Sequence, residues 1–390
     1  MRGSEAWGKA MAMKLRHALP FSLLLACSSS STPVTPTPDA GVTPDAGVDV
    51  KAAYAEAVLG ATWTKLGAAP AAPKGGKLDD IFFTSALRGF AVNGPASSIH
   101  RTEDGGQTWK VVFSHPGTYF RAVLFTDDKH GFAGNLGAGL TGSIDDATVL
   151  YETKDGGDNW APVTNITGAT PKGICNLTAV DAQHIFGVGR ANGPSHMLAT
   201  SDGGASWTAT DLTTDLSMLI DARFTSPTEG IIAGQSAGTP SVCTIMRTTD
   251  GGKTFSKVFA SATPSSLCWK LSFPSDKVGY ASIQDSVSGP ATLAKTTDGG
   301  ATWAEVPLPL AANPQSGFSA IGIGFITEDI GWIASESATK PSYRTVDGGK
   351  TWEADPALGP AINRFRFVDK KTAYAIGASV WKLDIDWKTP

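Results

Sequence analysis

The chain has 390 residues, a formal net charge of −4, 41% hydrophobic residues and 17% charged residues. That apolar content is enough for a sizeable core and excludes wholesale disorder. Four cysteines exclude a disulfide scaffold, and an acidic chain without a basic run excludes a nucleic-acid surface.

Lys14, Arg16 and His17 precede an apolar stretch, Ala18 to Ala26, that is too short to span a bilayer as a helix. A basic segment, a short apolar run and small residues at its end read as a secretory signal over 1–26. Leu24-Leu25-Ala26-Cys27 resembles the lipobox of bacterial lipoproteins. The resemblance implies lipidation at Cys27 and an exported protein held to the membrane by its lipid alone, on the periplasmic or cell-surface side of an outer membrane. Translation could start at Met1, Met11 or Met13.

Residues 27–60 read as a linker. Ser28 to Val50 contains Thr37-Pro38-Asp39-Ala40-Gly41-Val42 and then repeats it as Thr43-Pro44-Asp45-Ala46-Gly47-Val48. Such a segment has almost nothing large to bury and cannot offset its ordering entropy. Its prolines make it a semi-extended spacer. Lys51 to Gly60 reads either as a short helical turn or as more linker.

From residue 61 the chain repeats. The unit Thr-x-Asp-Gly-Gly-x-x-Trp recurs six times, once with Phe255 in the Trp position, and its aspartates are Asp104, Asp155, Asp202, Asp250, Asp298 and Asp347. Their spacings are 51, 47, 48, 48 and 49 residues. Upstream of the units, and once more after the last of them at Phe367, an apolar pair recurs: Phe83, Phe125, Phe224, Phe273, Phe325 and Phe367 are followed seven residues later by another large apolar residue; Val180 to Phe186 is one shorter. Each such pair reads as a β-hairpin. A third strand leads into the octapeptide and a fourth begins at its Trp. Four short strands per period of about 48 residues is the pattern of a propeller blade.

Seven hairpins accompany six octapeptides. Trp381 follows the last hairpin with no Asp-Gly-Gly after it, and Ala61-Thr62-Trp63-Thr64-Lys65 reads as the missing outer strand. The expected fold is therefore all-β: a seven-bladed β-propeller over 61–386, its N-terminal strand closing the last blade beside Trp381. Closure removes exposed sheet edges. In the octapeptide, Gly supplies backbone angles closed to other residues, while the Asp and Thr side chains accept N–H bonds inside the turn. A motif used six times does one job six times, so these aspartates read as structural. The Trp would pack between blades.

The octapeptide resembles the Asp-box, or bacterial neuraminidase repeat. The doubled Gly, the hairpin form Phe-x-x-x-x-x-Gly-aromatic-Ala and Phe120-Arg121-Ala122-Val123-Leu124-Phe125 look most like the propellers of the photosystem II stability/assembly factor family. The resemblance implies the fold, and a place for Arg121 at a hairpin opening; it does not carry over a photosynthetic role, because one fold hosts many functions. Asp-boxes also occur in sialidases and in large glucan-cleaving glycoside hydrolases. The sialidase set of arginines, Tyr, Glu and Asp finds no assignment here. Glycoside hydrolysis needs two carboxylates across a cleft, for which Asp145-Asp146 are candidates in a long loop. Gly234-Gln235-Ser236-Ala237-Gly238 matches a nucleophile elbow but is followed by a strand where the elbow needs a helix. The histidines show no metal-ligand spacing, and no cofactor motif appears.

Aligned on their terminal Phe, the innermost strands place Asp80, Asp221, Lys270 and Arg364 at one position and Arg223 and Arg366 two residues further on. Period two puts all six on one side, facing the channel. Unpaired charges are rarely buried, so the expectation is a water-filled channel whose four cations and two anions favour an anionic group such as a partner's carboxylate. The alternative is that the charges pair among themselves. Cys243 and Cys268 fall on facing strands of neighbouring blades and read as a disulfide, with three buried free thiols as the alternative. The reading that follows is a non-catalytic scaffold in the cell envelope that binds a protein or glycan partner, with no cofactor or metal. A carbohydrate-active hydrolase is the alternative.

Overall fold

The computed structural model of the chain describes residues 49–73, 76–140, 143–285, 291–310 and 318–388. Cys27 and the expected signal segment lie outside them. The described residues fold into seven sheets. Blade 1 runs Asp80–Phe83, Gly89–Asn93, Ser98–Thr102 and Lys110–Ser114, each strand antiparallel to the last. Five further sheets repeat the plan, starting at Phe120, Asn176, Leu216, Ser266 and Ala320. Blade 7 is built from Ile362–Phe367, Thr372–Gly377 and Val380–Asp384, and its outer strand is Trp63–Lys65. Lys65 pairs with Trp381 and Trp63 with Leu383, so the two ends of the chain complete one blade. The first strands of successive blades touch one another all the way round, and they form the innermost ring.

Two features depart from the repeat. Blade 3 carries a fifth strand, Ile166–Gly168, parallel to its outer strand Trp207–Asp211. The longer connection from blade 2 allows it, and Asn165 and Thr167 tie it through the Trp207 backbone. The second departure corrects the linker boundary. Val50–Gly60 forms helix α1, capped by the Asp49 carboxylate accepting from the Lys51 and Ala52 N–H groups. Val58 is buried in the cluster beneath blades 6 and 7, and Tyr54 meets Trp387 edge-on at 5.1 Å. The folded unit therefore begins at Asp49, twelve residues before the first expected strand residue, Ala61.

The aromatic spacing does its work between blades. Phe83 stacks on Tyr374 of blade 7, Phe125 on Phe90, Phe224 on Phe186 and Phe325 on Tyr280, with ring centroids 3.6–4.0 Å apart. Each such pair adds roughly 0.5–1.5 kcal/mol beyond its buried area. The Gly that precedes the second large apolar residue makes room for this: a Cβ at Gly89, Gly131, Gly230, Gly279 or Gly331 would lie 2.3–2.6 Å from that hairpin's own Phe ring. The octapeptide turns follow one plan. In the first, Asp104 accepts from the Thr108 N–H and hydroxyl and from the Thr102 hydroxyl, while Thr102 Oγ1 accepts from the Gly106 N–H. Gly105 and Gly106 adopt φ of +70° and +90°, and the other five turns repeat this.

Candidate binding site in the channel

Period two would aim alternate residues of an innermost strand at the channel. The strands break that rule. A register shift precedes the terminal stretch in blades 2, 4, 5, 6 and 7, passing Arg121, Ile220, Trp269-Lys270, Ile321 and Asn363. Blade 1 does the same, since Asp79 and Asp80 both stand opposite Val92. An extra residue of this kind re-aims side chains. It brings a second layer to the axis: Trp269 Nε1 donates to Asn363 Oδ1 at 3.0 Å, Asn363 donates to the Asp79 carbonyl, and Arg121 lies over the Trp269 ring at 5.2 Å. These contacts join blades 1, 2, 5 and 7.

The channel is closed and paired where the sequence suggested water. Asp80 is 0% exposed and Arg364 5%, and Asp221 and Lys270 are buried with them. Asp80 accepts two bonds from Arg366 Nη2, at 2.8 and 3.0 Å, and one from Nε at 3.1 Å. Arg364 Nε sits 3.2 Å from the same carboxylate, and its Nη2 reaches Asp221 across the axis at 3.5 Å. Burial opposes the charge on Arg364, but Asp80 and then Asp221 outweigh it, so the guanidinium is held above its ordinary range. Lys270 goes the other way: burial first, then Arg364, pushes it well below the ordinary lysine range against the pull of Asp221. Lys77, 4.6 Å from the Trp269 ring, is pulled down to about 8 by burial, with Asp79 opposing. Arg121 Nη1 stands 3.8 Å from Asp79, and its Nε and Nη2 have no hydrogen-bond partner among the described residues. The apolar cluster of Leu136, Cys175, Ile220, Leu267, Trp269 and Ile321 packs around this layer.

Arg223 corrects the expectation most sharply. It turns out of the axis, lies over Phe273 at 4.3 Å and pairs with Asp276 in the adjoining turn at 3.2 Å. Its end of the channel is nevertheless open. A cavity of about 190 Å³ there is lined by Arg223, Arg364, Arg366, Asp221, Phe273, Asn176 and Thr178, among others. The Arg366 side chain is 30% exposed at this mouth. The mouth has three guanidinium groups, an aromatic face and two small polar side chains, and its nearest carboxylates are already engaged by arginine.

The other candidates resolve as turn chemistry. All six octapeptide aspartates are held at about 2. In five of them the largest cause is the hydrogen bond from the seventh motif residue (Thr108, Asn159, Ser206, Thr254 or Thr302); at Asp347 burial opposes a similar set of bonds. Asp146 accepts from the Thr148 N–H at Oδ1 and from the Tyr151 hydroxyl, Thr118 hydroxyl and Asn135 amide at Oδ2, so the carboxylate is engaged in holding its own loop. Burial opposes these bonds, yet they hold it below the ordinary carboxylate range. Ser236 ends a strand and accepts the Val242 N–H, with no helix after it. No cluster of metal-ligating residues occurs among the described residues. Cys243 and Cys268 are joined as a disulfide between blades 4 and 5, Cα atoms 4.6 Å apart, and Cys175 is a buried free thiol.

No family model matches the chain. It is 23% identical over 309 residues, 74% of its length, to the chloroplast photosystem II stability/assembly factor HCF136 of Arabidopsis thaliana, covering 70% of that protein. The chain is a homologue of that assembly factor. Among solved structures it is similar to YCF48 bound to D1 peptide, with a TM-score of 0.60 at 17% identity over 84% of this chain and 96% of that one. It is also similar to the GH74 xyloglucanase of Xanthomonas campestris, with a TM-score of 0.58 at 14% identity. There it covers 85% of this chain and 55% of the enzyme. At these identities the solved structures speak for the propeller fold.

Proposed function

We propose that this homologue is a non-catalytic binding scaffold: an Asp-box propeller, exported and lipidated at Cys27, that holds a partner protein in the cell envelope. The site we assign is the channel mouth. The observation that carries it is the convergence there of Arg223, Arg364 and Arg366 on a cavity whose lining carboxylate, Asp221, is already paired with Arg364, so that none is left free to repel an added anion. A guanidinium cluster of this kind suits a carboxylate, which it can take with paired, charge-assisted bonds. Phe273 and Thr178 offer an apolar face and a hydroxyl to the residue that bears it. A peptide's C-terminal or side-chain carboxylate is the ligand class. That the similar propeller YCF48 has been solved bound to D1 peptide supports a protein partner over a glycan.

The test is a peptide array in which each sequence appears with a free C-terminal carboxylate and as its amide. Preferential retention of the carboxylate set, lost in Arg366→Ala, is the expected result. Equal retention of both sets overturns the assignment. The GH74 likeness prompts one control: incubation with xyloglucan should release no reducing ends.

A further inference from the structure

The residue just before each octapeptide stands opposite the large apolar residue of the neighbouring strand. Register places Arg101 against Phe90, Glu152 against Phe132, Ala199 against Phe186, Arg247 against Ile231, Lys295 against Tyr280 and Arg344 against Trp332. Lys382 takes the same place against Tyr374 in blade 7. Five of these seven are cations, and in two blades the cation reaches the next blade. Arg101 Nη1 donates to the Gly156 carbonyl at 2.8 Å, and Lys295 Nζ to the Gly348 carbonyl at 2.9 Å. Gly156 and Gly348 are the first glycines of the following octapeptides. Lys295 also lies 5.0 Å from the Tyr280 ring, whose other partner is Phe325 of blade 6 at 3.6 Å.

Blade 3 has the same frame without the cation. Phe186 stacks on Phe224 of blade 4 at 3.6 Å, as Tyr280 does on Phe325. At the cation's position stands Ala199. A cavity of about 360 Å³ opens there, lined by Phe186, Met197, Ala199, Thr208, Thr210 and, on blade 4, Gly251. No side chain among the described residues donates to the Gly251 carbonyl, the counterpart of Gly156 and Gly348. Here a cation's bond acceptor and the aromatic ring beneath its stem are both in place, and the side chain that uses them elsewhere in the ring is missing.

We infer that the groove between blades 3 and 4 binds an alkyl cation of lysine-like length, its ammonium or guanidinium on the Gly251 carbonyl and its stem over Phe186. The chemistry is that of a cation–π contact joined to a charge-assisted hydrogen bond. Lys253 at the rim does not forbid it. Lys350 holds the matching position in blade 6, and its charge, after burial, is a cause lowering the pKa of Lys295, yet the Lys295 ammonium remains bonded to Gly348. Asp250, ionised down to about 2, lines the same groove and adds a favourable field. A basic side chain of a peptide and a free diamine share this chemistry.

The test uses the folded protein with methyl-labelled methionine, because Met197 lines the groove. Titration with Nα-acetyl-lysine methylamide should shift the Met197 methyl resonance saturably, with a dissociation constant of the order of 1 mM. Nα-acetyl-norleucine methylamide, which keeps the stem and loses the charge, should bind at least about tenfold more weakly. Putrescine reports the source: a shift with both cations assigns the site to the charged head alone, and a shift with the lysine derivative only assigns it to a polypeptide side chain. Ala199→Lys should supply the cation from within, keep the fold and abolish the response. Should that variant not fold, Ala199→Met blocks the groove without a charge and should do the same. No saturable shift in the wild-type protein, equal binding of norleucine, or an unchanged response in the blocked variant overturns the inference.

Discussion

Arg364→Ala should destabilise the propeller by several kcal/mol. Arg364 is 5% exposed and bridges Asp80 and Asp221 across the axis. Asp80 would keep Arg366 and the Val123 N–H, but among the described residues Asp221 would keep one hydrogen bond, from the Leu271 N–H at 2.9 Å. Removing one member of a buried pair leaves an uncompensated charge and costs roughly 3–5 kcal/mol. For a folded unit of this size the unfolding entropy converts that to a fall in Tm of about 4–7 °C. Differential scanning calorimetry measures it. Asp221→Asn in the same background should recover part of the loss, because it removes the stranded charge, and the cycle should show coupling of at least about 1 kcal/mol. A Tm within about 1 °C of wild type, or strictly additive effects, would show that the charges are solvated and that the channel is not the closed network described.

Three further outcomes are expected. The octapeptide carboxylates have folded pKa values near 2, below the unfolded value, so their stabilisation is complete above about pH 4 and lost as pH falls toward 2; the drop in Tm over that window should shrink in Asp298→Asn, and an equal drop in both proteins refutes the assignment. The Cys243–Cys268 bridge closes a loop with a sequence separation of 25, worth about 3–4 kcal/mol in the chain-entropy account; thiol titration of the unfolded, unreduced chain should find Cys175 but neither bridged cysteine, and reductant should lower the Tm. Trp63→Ala should cost about 3–5 kcal/mol in a denaturant melt, because the indole is buried against Trp332 and Phe365 and closes the ring; a cost under about 1 kcal/mol would mean that the last blade holds without its outer strand.

The fold was readable because the repeat is redundant: six octapeptides and seven hairpins constrain one another, and Trp63 needed a partner that only Trp381 lacked. Helix α1 was not readable with the same force. Val50 to Gly60 is alanine-rich with a weak apolar stripe, and it is fixed by long-range contacts, Val58 in the cluster of blades 6 and 7 and Tyr54 against the C-terminal Trp387. In the channel, simple alternation found Asp80, Asp221, Lys270, Arg364 and Arg366. It missed Asp79, Trp269 and Asn363, because an extra residue in the innermost strands of blades 1, 5 and 7 turns two neighbours toward the axis. A signal was present: Asp79-Asp80, Trp269-Lys270 and Asn363-Arg364 are paired bulky or polar residues where alternation calls for one. Arg223 escaped prediction because its partner, Asp276, belongs to the turn of the next blade, a contact that no single-strand pattern contains.

The most direct test of the scaffold reading is calorimetric titration of the best carboxylate peptide from the array into the wild-type protein and into Arg223→Ala/Arg366→Ala. Both arginines lie at the mouth, and Arg364 stays to hold Asp80, so the fold should survive. Loss of two charge-assisted contacts should weaken binding by at least about tenfold, with a steeper salt dependence in the wild type. Unchanged affinity in a folded double variant would contradict the account and move the binding surface away from the channel mouth.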